Sequence, residues 1–160
     1  METTRHFTAT VYLVHDDDVL LHEHDRLDMW LPPGGHIDRD ELPHEAAIRE
    51  TEEETGLSFD LLQEAPGPRS DSVRPIPQPA TILLEDINVH GDEVGHQHID
   101  FIYYGETQER TIRPDPGETP ANRWEWVDRN ELQSQDRFTA DVVALGLDAI
   151  DAVGDPTNTN

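Results

Sequence analysis

The chain has 160 residues, which suits one domain with a single core and leaves no room for a second enzyme domain. Its 35 acidic and 11 basic residues give a formal charge of −24, which argues against a phosphate grip on nucleic acid and against an anionic membrane surface. With no cysteine, it has no disulfide, thiolate metal site or cysteine nucleophile.

Met1 to Phe7 shows no apolar signal stretch, and no apolar run is long enough to span a bilayer, so a soluble, cytoplasmic protein is expected. Every basic residue other than histidine is arginine; lysine is absent. Apolar content is 34%, low for a globular chain, so the choice is between disorder and a folded protein suited to high salt. Recurrent alternating apolar segments favour the folded reading. Molar salt shortens the Debye length to about 3 Å and screens the carboxylates from one another. The composition resembles that of haloarchaeal cytoplasmic proteins.

In chain order, Phe7 to Val14 alternates as a strand, with Phe7, Ala9, Val11 and Leu13 on one face. Asp16 to Asp18 makes a turn, and Val19 to Glu23 returns as its hairpin partner. Within that return strand, His22 and His24 read as exposed. Pro32-Pro33-Gly34-Gly35 breaks the chain before a helix that Pro43 opens and Gly56 stops. Leu57 to Leu62 reads as a strand and Ala65 to Pro79 as a proline-rich loop. Ala80 to Val89 and His98 to Tyr104 read as neighbouring strands, followed by a short strand from Trp124 to Val127. Asp128 and Glu131 have capping-box spacing, and Thr139 opens a helix that runs to about Val153 and ends at Gly154. The domain is therefore expected over residues 1–154, with residues 155–160 a frayed tail. This order suggests an α/β or α+β layered domain.

The segment from Gly35 to Leu57 carries the chemistry. At roughly 100° per residue, Ala47, Ile48, Thr51 and Thr55 share one face, offered to the core. Glu50, Glu53 and Glu54 share a second, and Ala46 among them would let another segment approach closely. Like charges at these spacings repel, and the C-terminal half of a helix disfavours negative charge. A hard divalent cation would reverse both terms, magnesium taking a few carboxylates plus water and phosphate oxygens. Arg49, four residues before Glu53, is placed to orient it. In so acidic a chain, a solvated acidic face remains the alternative.

Gly35, Glu41, Arg49, Glu50, Glu53, Glu54 and Gly56 stand at the spacing G-x5-E-x7-R-E-U-x-E-E-x-G-U, with U aliphatic. This resembles the Nudix box. Thr51 departs from the aliphatic position, although its methyl can pack there, and Leu57 satisfies the other. Trp30-Leu31 before Pro33-Gly34-Gly35, and a late tryptophan strand leading into a helix, are also similar to Nudix domains. The resemblance implies an α/β/α sandwich around a mixed β-sheet. It further implies a hydrolase that cleaves a nucleoside diphosphate linked to another group, with magnesium or manganese. On that resemblance Glu50, Glu53, Glu54 and the Gly35 carbonyl would hold the metal, and Glu50 could also activate water. Arg49 would orient the carboxylates, and Glu41 would stabilise the loop or bind metal more distantly.

His96, His98 and Asp100 alternate on one strand face, open to three readings: a zinc constellation, a substrate-binding group or a hydrogen-bonded sheet edge. Since the resemblance puts the metal on the helix, His98 and Asp100 are carried as weak substrate-binding candidates. Arg69 and Arg74 in the proline-rich loop join them as the few charges available for a phosphate, with surface solubility the blander reading. Tyr12, Trp30, Phe101 and Tyr103 are read as core before base-stacking groups. The substrate expected is a small nucleotide: a nucleotide sugar, ADP-ribose, a dinucleoside polyphosphate or a modified triphosphate. A non-catalytic nucleotide-binding regulator is the alternative, weakened by the full set of box glutamates. An RNA-end decapping enzyme is disfavoured by the charge. Oligomeric state is left open, a homodimer included.

Overall fold

The computed structural model describes residues 2–155 and residue 157. Most of the expected tail, and Met1, lie outside the described residues. The central strand is β1 (Thr4–His15), which pairs in parallel with β7 (Glu93–Glu106) from Thr4 opposite His96 to Val14 opposite Glu106. Its other edge is shared by β2 (Asp18–His24) and β4 (Gly34–His36), both antiparallel. β2 extends the sheet through β3 (Met29–Leu31) and β8 (Trp124–Asp128). β7 extends it through β5 (Asp60–Leu61) and β6 (Thr81–His90).

Alternation along β1 builds two cores. Ala9, Val11 and Leu13 are fully buried on one face, against Ala46 and Ala47 of α1 (Pro43–Thr55). Tyr12 and Val14 point the other way, against Val142, Ala149 and Ile150 of α3 (Ala140–Gly154) and Leu132 of α2 (Arg129–Ser134). The result is the α/β/α sandwich around a mixed sheet. Burying each of the valine, leucine and isoleucine side chains among them is worth about 1.5–3 kcal/mol, so both layers are held mainly by apolar contact. No helix among the described residues is long and apolar enough to cross a membrane.

The hairpin turn is the two residues Asp16 and Asp17, with Asp16 at φ +52°, a left-handed conformation that aspartate tolerates. The Asp128–Glu131 capping box forms reciprocally, the two bonds being 2.9 and 3.0 Å. Residues 65–79 contain no helix or strand.

Four expectations need correction. Phe7 is 56% exposed, because the cluster beneath α1 ends at Ala9. The strand expected over residues 57–62 shrinks to Asp60–Leu61, the preceding residues following the turn out of α1. The glycine segment is not only a breaker. Gly34 and Gly35 pair with β1, and a Cβ on Gly34 would stand 2.6 Å from the Ala9 carbonyl oxygen and the Thr10 hydroxyl.

His22 is buried rather than exposed, because β8 closes over β2 and sets the Trp124 ring 4.4 Å from the imidazole. Burial, helped by nearby His24, pushes the His22 pKa down to about 4. A depressed histidine contributes stability above its unfolded value of about 6.5 and loses it as pH falls through the folded value. Over that window the term amounts to about 3 kcal/mol. Melting of the wild type from pH 7 down to pH 4 should therefore fall further than melting of a His22→Phe variant. Parallel curves would show that His22 is not the acid-sensitive group.

Candidate functional site

Helix α1 is set by its ends. Pro43 sits where a missing N–H costs nothing, and the Leu42 N–H donates to Glu45 Oε2 at 2.9 Å. Gly56 stops the helix at φ +69°, its N–H donating to the Glu52 carbonyl at 2.8 Å. The segment after β7 then docks on the helix end. The Arg113 and Asp115 N–H groups donate to the Thr55 and Glu53 carbonyls, each at 2.8 Å. A Cβ at Gly56 would lie 2.3 Å from the Arg113 carbonyl oxygen.

Ala47, Thr51 and Thr55 are fully buried as expected, but Ile48 is only half-buried. It lines an open cleft of about 510 Å³ with Glu45, Arg49, Glu52, Glu53 and Asp115. Ala46 and Glu54 occupy the buried stripe instead. The stripe is rotated toward the glutamates because β4 lies across them. The Gly34 N–H donates to Glu54 Oε1 at 3.3 Å, and a Cβ on Gly35 would stand 2.4–2.6 Å from the Glu50 carboxyl. Ala46 and Gly35 thus permit the close approach.

Arg49 ties the cluster together. Its Nε and Nη2 donate to the two oxygens of Glu41, the latter at 2.9 Å. Its Nη1 donates to Glu50 at 3.0 Å and Glu53 at 3.3 Å, and Nη2 also reaches the His36 carbonyl at 3.1 Å. Glu41 accepts the Asp38 N–H at 2.9 Å, so one guanidinium links loop, β4 and helix. The same guanidinium holds the Glu41 carboxyl below its usual range.

Glu50 and Glu54 move the other way. Burial raises Glu50, against the pull of Arg49, and neighbouring Glu53 and Glu118 add to the rise. Burial pushes Glu54 up to about 8, opposed by the Gly34 N–H and reinforced by Glu50, Glu118 and Glu53. Glu118 is a fourth carboxylate that the sequence reading missed. It lies in a Pro-Gly turn with no spacing signal, and the docking of residues 113–115 on the helix end is what brings it near.

Gly35, Glu41, Arg49, Glu50, Glu53 and Glu54 thus come together. The donor set is all oxygen, several carboxylates close enough to oppose each other's ionisation, which fits a hard divalent cation. The other candidates lie elsewhere. His98 and Asp100 are on the opposite face of the sheet, where Asp100 is buried and accepts the Thr8 hydroxyl at 2.9 Å and the Thr10 hydroxyl at 2.8 Å. Arg69 and Arg74 are exposed in the loop, with no ion pair among the described residues. Tyr12 and Tyr103 are core, while Trp30 is half-buried beside Phe138.

Comparison with known proteins decides the family. Residues 4–145 match the NUDIX domain. The chain belongs to the NUDIX family. This Nudix chain is 32% identical to a NUDIX-family hydrolase from Clostridium perfringens, over 94% of this chain and 99% of that one, with a TM-score of 0.79. It is 37% identical over 109 residues to an RNA pyrophosphohydrolase of Rhizobium meliloti, covering 65% of this chain and 61% of that protein. A shorter stretch of 58 residues is 40% identical to the asymmetrical bis(5'-nucleosyl)-tetraphosphatase of Rattus norvegicus, covering 36% of this chain and 40% of that one. The Nudix chain spans less than two thirds of the length of these curated relatives.

Proposed function

We propose that this Nudix protein is a divalent-cation-dependent pyrophosphohydrolase that cleaves the diphosphate linkage of a nucleoside diphosphate joined to another group. The observation that carries the reading is the crowding of Glu50, Glu53 and Glu54 beside Gly35, with Glu54 buried next to other carboxylates and, among the described residues, in no ion pair with a cationic side chain. Glu50, Glu53, Glu54 and the Gly35 carbonyl would hold the ion, and the charge of Glu118 reaches the Glu50 and Glu54 carboxyls. Magnesium or manganese, when bound, polarises the pyrophosphate and lowers the pKa of water.

The remaining steps fall to the chain. Arg49 fixes Glu50 and Glu53 so that their orientation precedes substrate binding. Glu50 keeps one oxygen on Arg49, and its raised affinity for protons suits it to accept one from the attacking water. Water adds across one P–O–P bond; its proton passes to Glu50 and the bridging oxygen leaves with the other phosphate. Glu41 acts through Arg49 as a positioning residue.

Small nucleotides are the favoured substrates, since the chain's charge of −24 opposes a polyanion. The likeness to RNA pyrophosphohydrolases supports a second reading, a triphosphate at an RNA 5' end. A panel of nucleotide sugars, ADP-ribose, dinucleoside polyphosphates, modified triphosphates and 5'-triphosphorylated RNA, assayed with magnesium in molar KCl and with products identified, separates the two. Turnover of RNA alone would overturn the small-nucleotide assignment. No turnover of any would favour a nucleotide-binding regulator. High-salt operation belongs to the same proposal.

The cation should also stabilise the fold, because it relieves the crowded carboxylates and binds the native state preferentially. Melting temperature at constant ionic strength should rise with magnesium or manganese. An equal rise in a Glu50/Glu53/Glu54 triple-alanine variant would mean diffuse cation binding.

A further inference from the structure

β4 separates two chemically different clusters. Gly35 is packed against Glu50, whereas the next residue, His36, points to the opposite face of the sheet. There it meets His6 of β1 and His96 and His98 of β7. The register accounts for the meeting: His6 lies opposite His98, Thr4 opposite His96, and Thr8 opposite both Asp100 and His36. Ring centroids are 4.5 Å apart for His6 and His96, 5.0 Å for His96 and His98, 5.1 Å for His36 and His98, and 5.3 Å for His6 and His36. One ring nitrogen each from His6, His96 and His98 lies within 4.8 Å of the others.

Thr4 also holds His96 in place. Its Oγ1 lies 3.2 Å from the Gly95 carbonyl oxygen and 2.9 Å from His96 Nδ1. With Nδ1 engaged by Thr4, Nε2 is the His96 nitrogen left for a metal, and a hydrogen bond to the non-coordinating ring nitrogen is the usual support of a metal-binding histidine. The rings of His6, His36 and His98 have no hydrogen-bond partner among the described residues.

We propose that His6, His96 and His98, with His36 or water as fourth ligand, form a site for a borderline transition-metal dication of the zinc type. The site is distinct from the oxygen-donor cluster on α1. Imidazole nitrogen suits zinc, copper and nickel and is a poor ligand for magnesium, so each cluster selects its own class of ion. Tetrahedral zinc at 2.0–2.1 Å holds its nitrogens about 3.4 Å apart. His6 and His36 are exposed at the surface, so rotation of their side chains closes the gap. Asp100, the third member of the alternation in sequence, is excluded because Thr8 and Thr10 occupy its oxygens. An ion here would join β1, β4 and β7.

The test is calorimetric titration of metal-free protein with zinc chloride, in 1 M KCl and saturating magnesium, which suppress diffuse binding and occupy the acidic helix. One equivalent should bind. Affinity should fall at least about tenfold in His6→Ala and in His98→Ala, a direct ligand costing no less than an outer-shell partner. It should be unchanged in Glu53→Gln. Copper(II) added to wild type should show nitrogen hyperfine structure in its paramagnetic resonance spectrum, a readout that needs no variant. Binding that survives the His6/His98 double variant, that disappears in Glu53→Gln, or that shows only oxygen ligation of copper would overturn the site, as would absence of saturable zinc binding.

Discussion

Replacing Glu53 or Glu54 with glutamine should remove most hydrolysis and leave the fold intact. Both changes keep the shape of the side chain. In Glu54→Gln the new amide oxygen can still accept the Gly34 N–H, and in Glu53→Gln it can still accept from Arg49. What each variant loses is a charge that would hold the cation. Outer-shell partners of a bound metal are worth roughly 10–100-fold, so a direct ligand should cost at least that in turnover at saturating magnesium. Glu52→Gln is the control, since Glu52 immediately precedes them in sequence but is exposed on α1, and its turnover should be unchanged. The metal-free protein should respond in the opposite sense. Glu54 is only 9% exposed and surrounded by Glu50, Glu53 and Glu118, so Glu54→Gln should melt higher than wild type without metal and lose the magnesium-dependent rise. Near wild-type turnover of either variant would refute the assignment.

The residues legible in the sequence were those whose roles depend on local spacing. Proline at the start of α1, glycine at its end and the periodicity between them place three glutamates on one flank from sequence alone. The alternation in β1 likewise yields both cores. What spacing could not show is what lies across from each side chain. Ile48 and Ala46 exchange roles because β4 lies over the glutamate flank, a tertiary contact made through glycines that read locally as breakers. His22 is buried because β8, about a hundred residues later, pairs with β2. Glu118 reaches the site through a loop that donates to the last carbonyls of α1. The histidines assemble from three strands, and only the two from β7 were adjacent enough to be noticed together.

The protein should be folded and active in molar KCl and lose structure as salt is withdrawn. The arginine ion pairs among the described residues involve Arg49, Arg110, Arg123, Arg129 and Arg137. Against 35 carboxylates these leave most negative charge uncompensated, and exposed pairs contribute only about 0–1 kcal/mol each. At 0.01 M salt the Debye length is about 30 Å, comparable with a small domain, so nearly every carboxylate is felt by the others. Folding concentrates that charge, and the penalty falls mainly on the native state. A net stability of about 5–15 kcal/mol leaves little margin to absorb it. Molar KCl shortens the Debye length to about 3 Å and removes most of the penalty. Divalent ions should rescue the fold at far lower concentration, because Glu50, Glu53 and Glu54 gather in one place the repulsion that a single ion can cancel. Circular dichroism during dialysis from molar to millimolar KCl, without divalent ions, measures this directly. A cooperative native melt in millimolar salt would mean that the acidity serves solubility alone. Loss of structure that magnesium reverses in wild type but not in the Glu50/Glu53/Glu54 triple-alanine variant would place the most salt-sensitive element of the fold at the carboxylate cluster of α1.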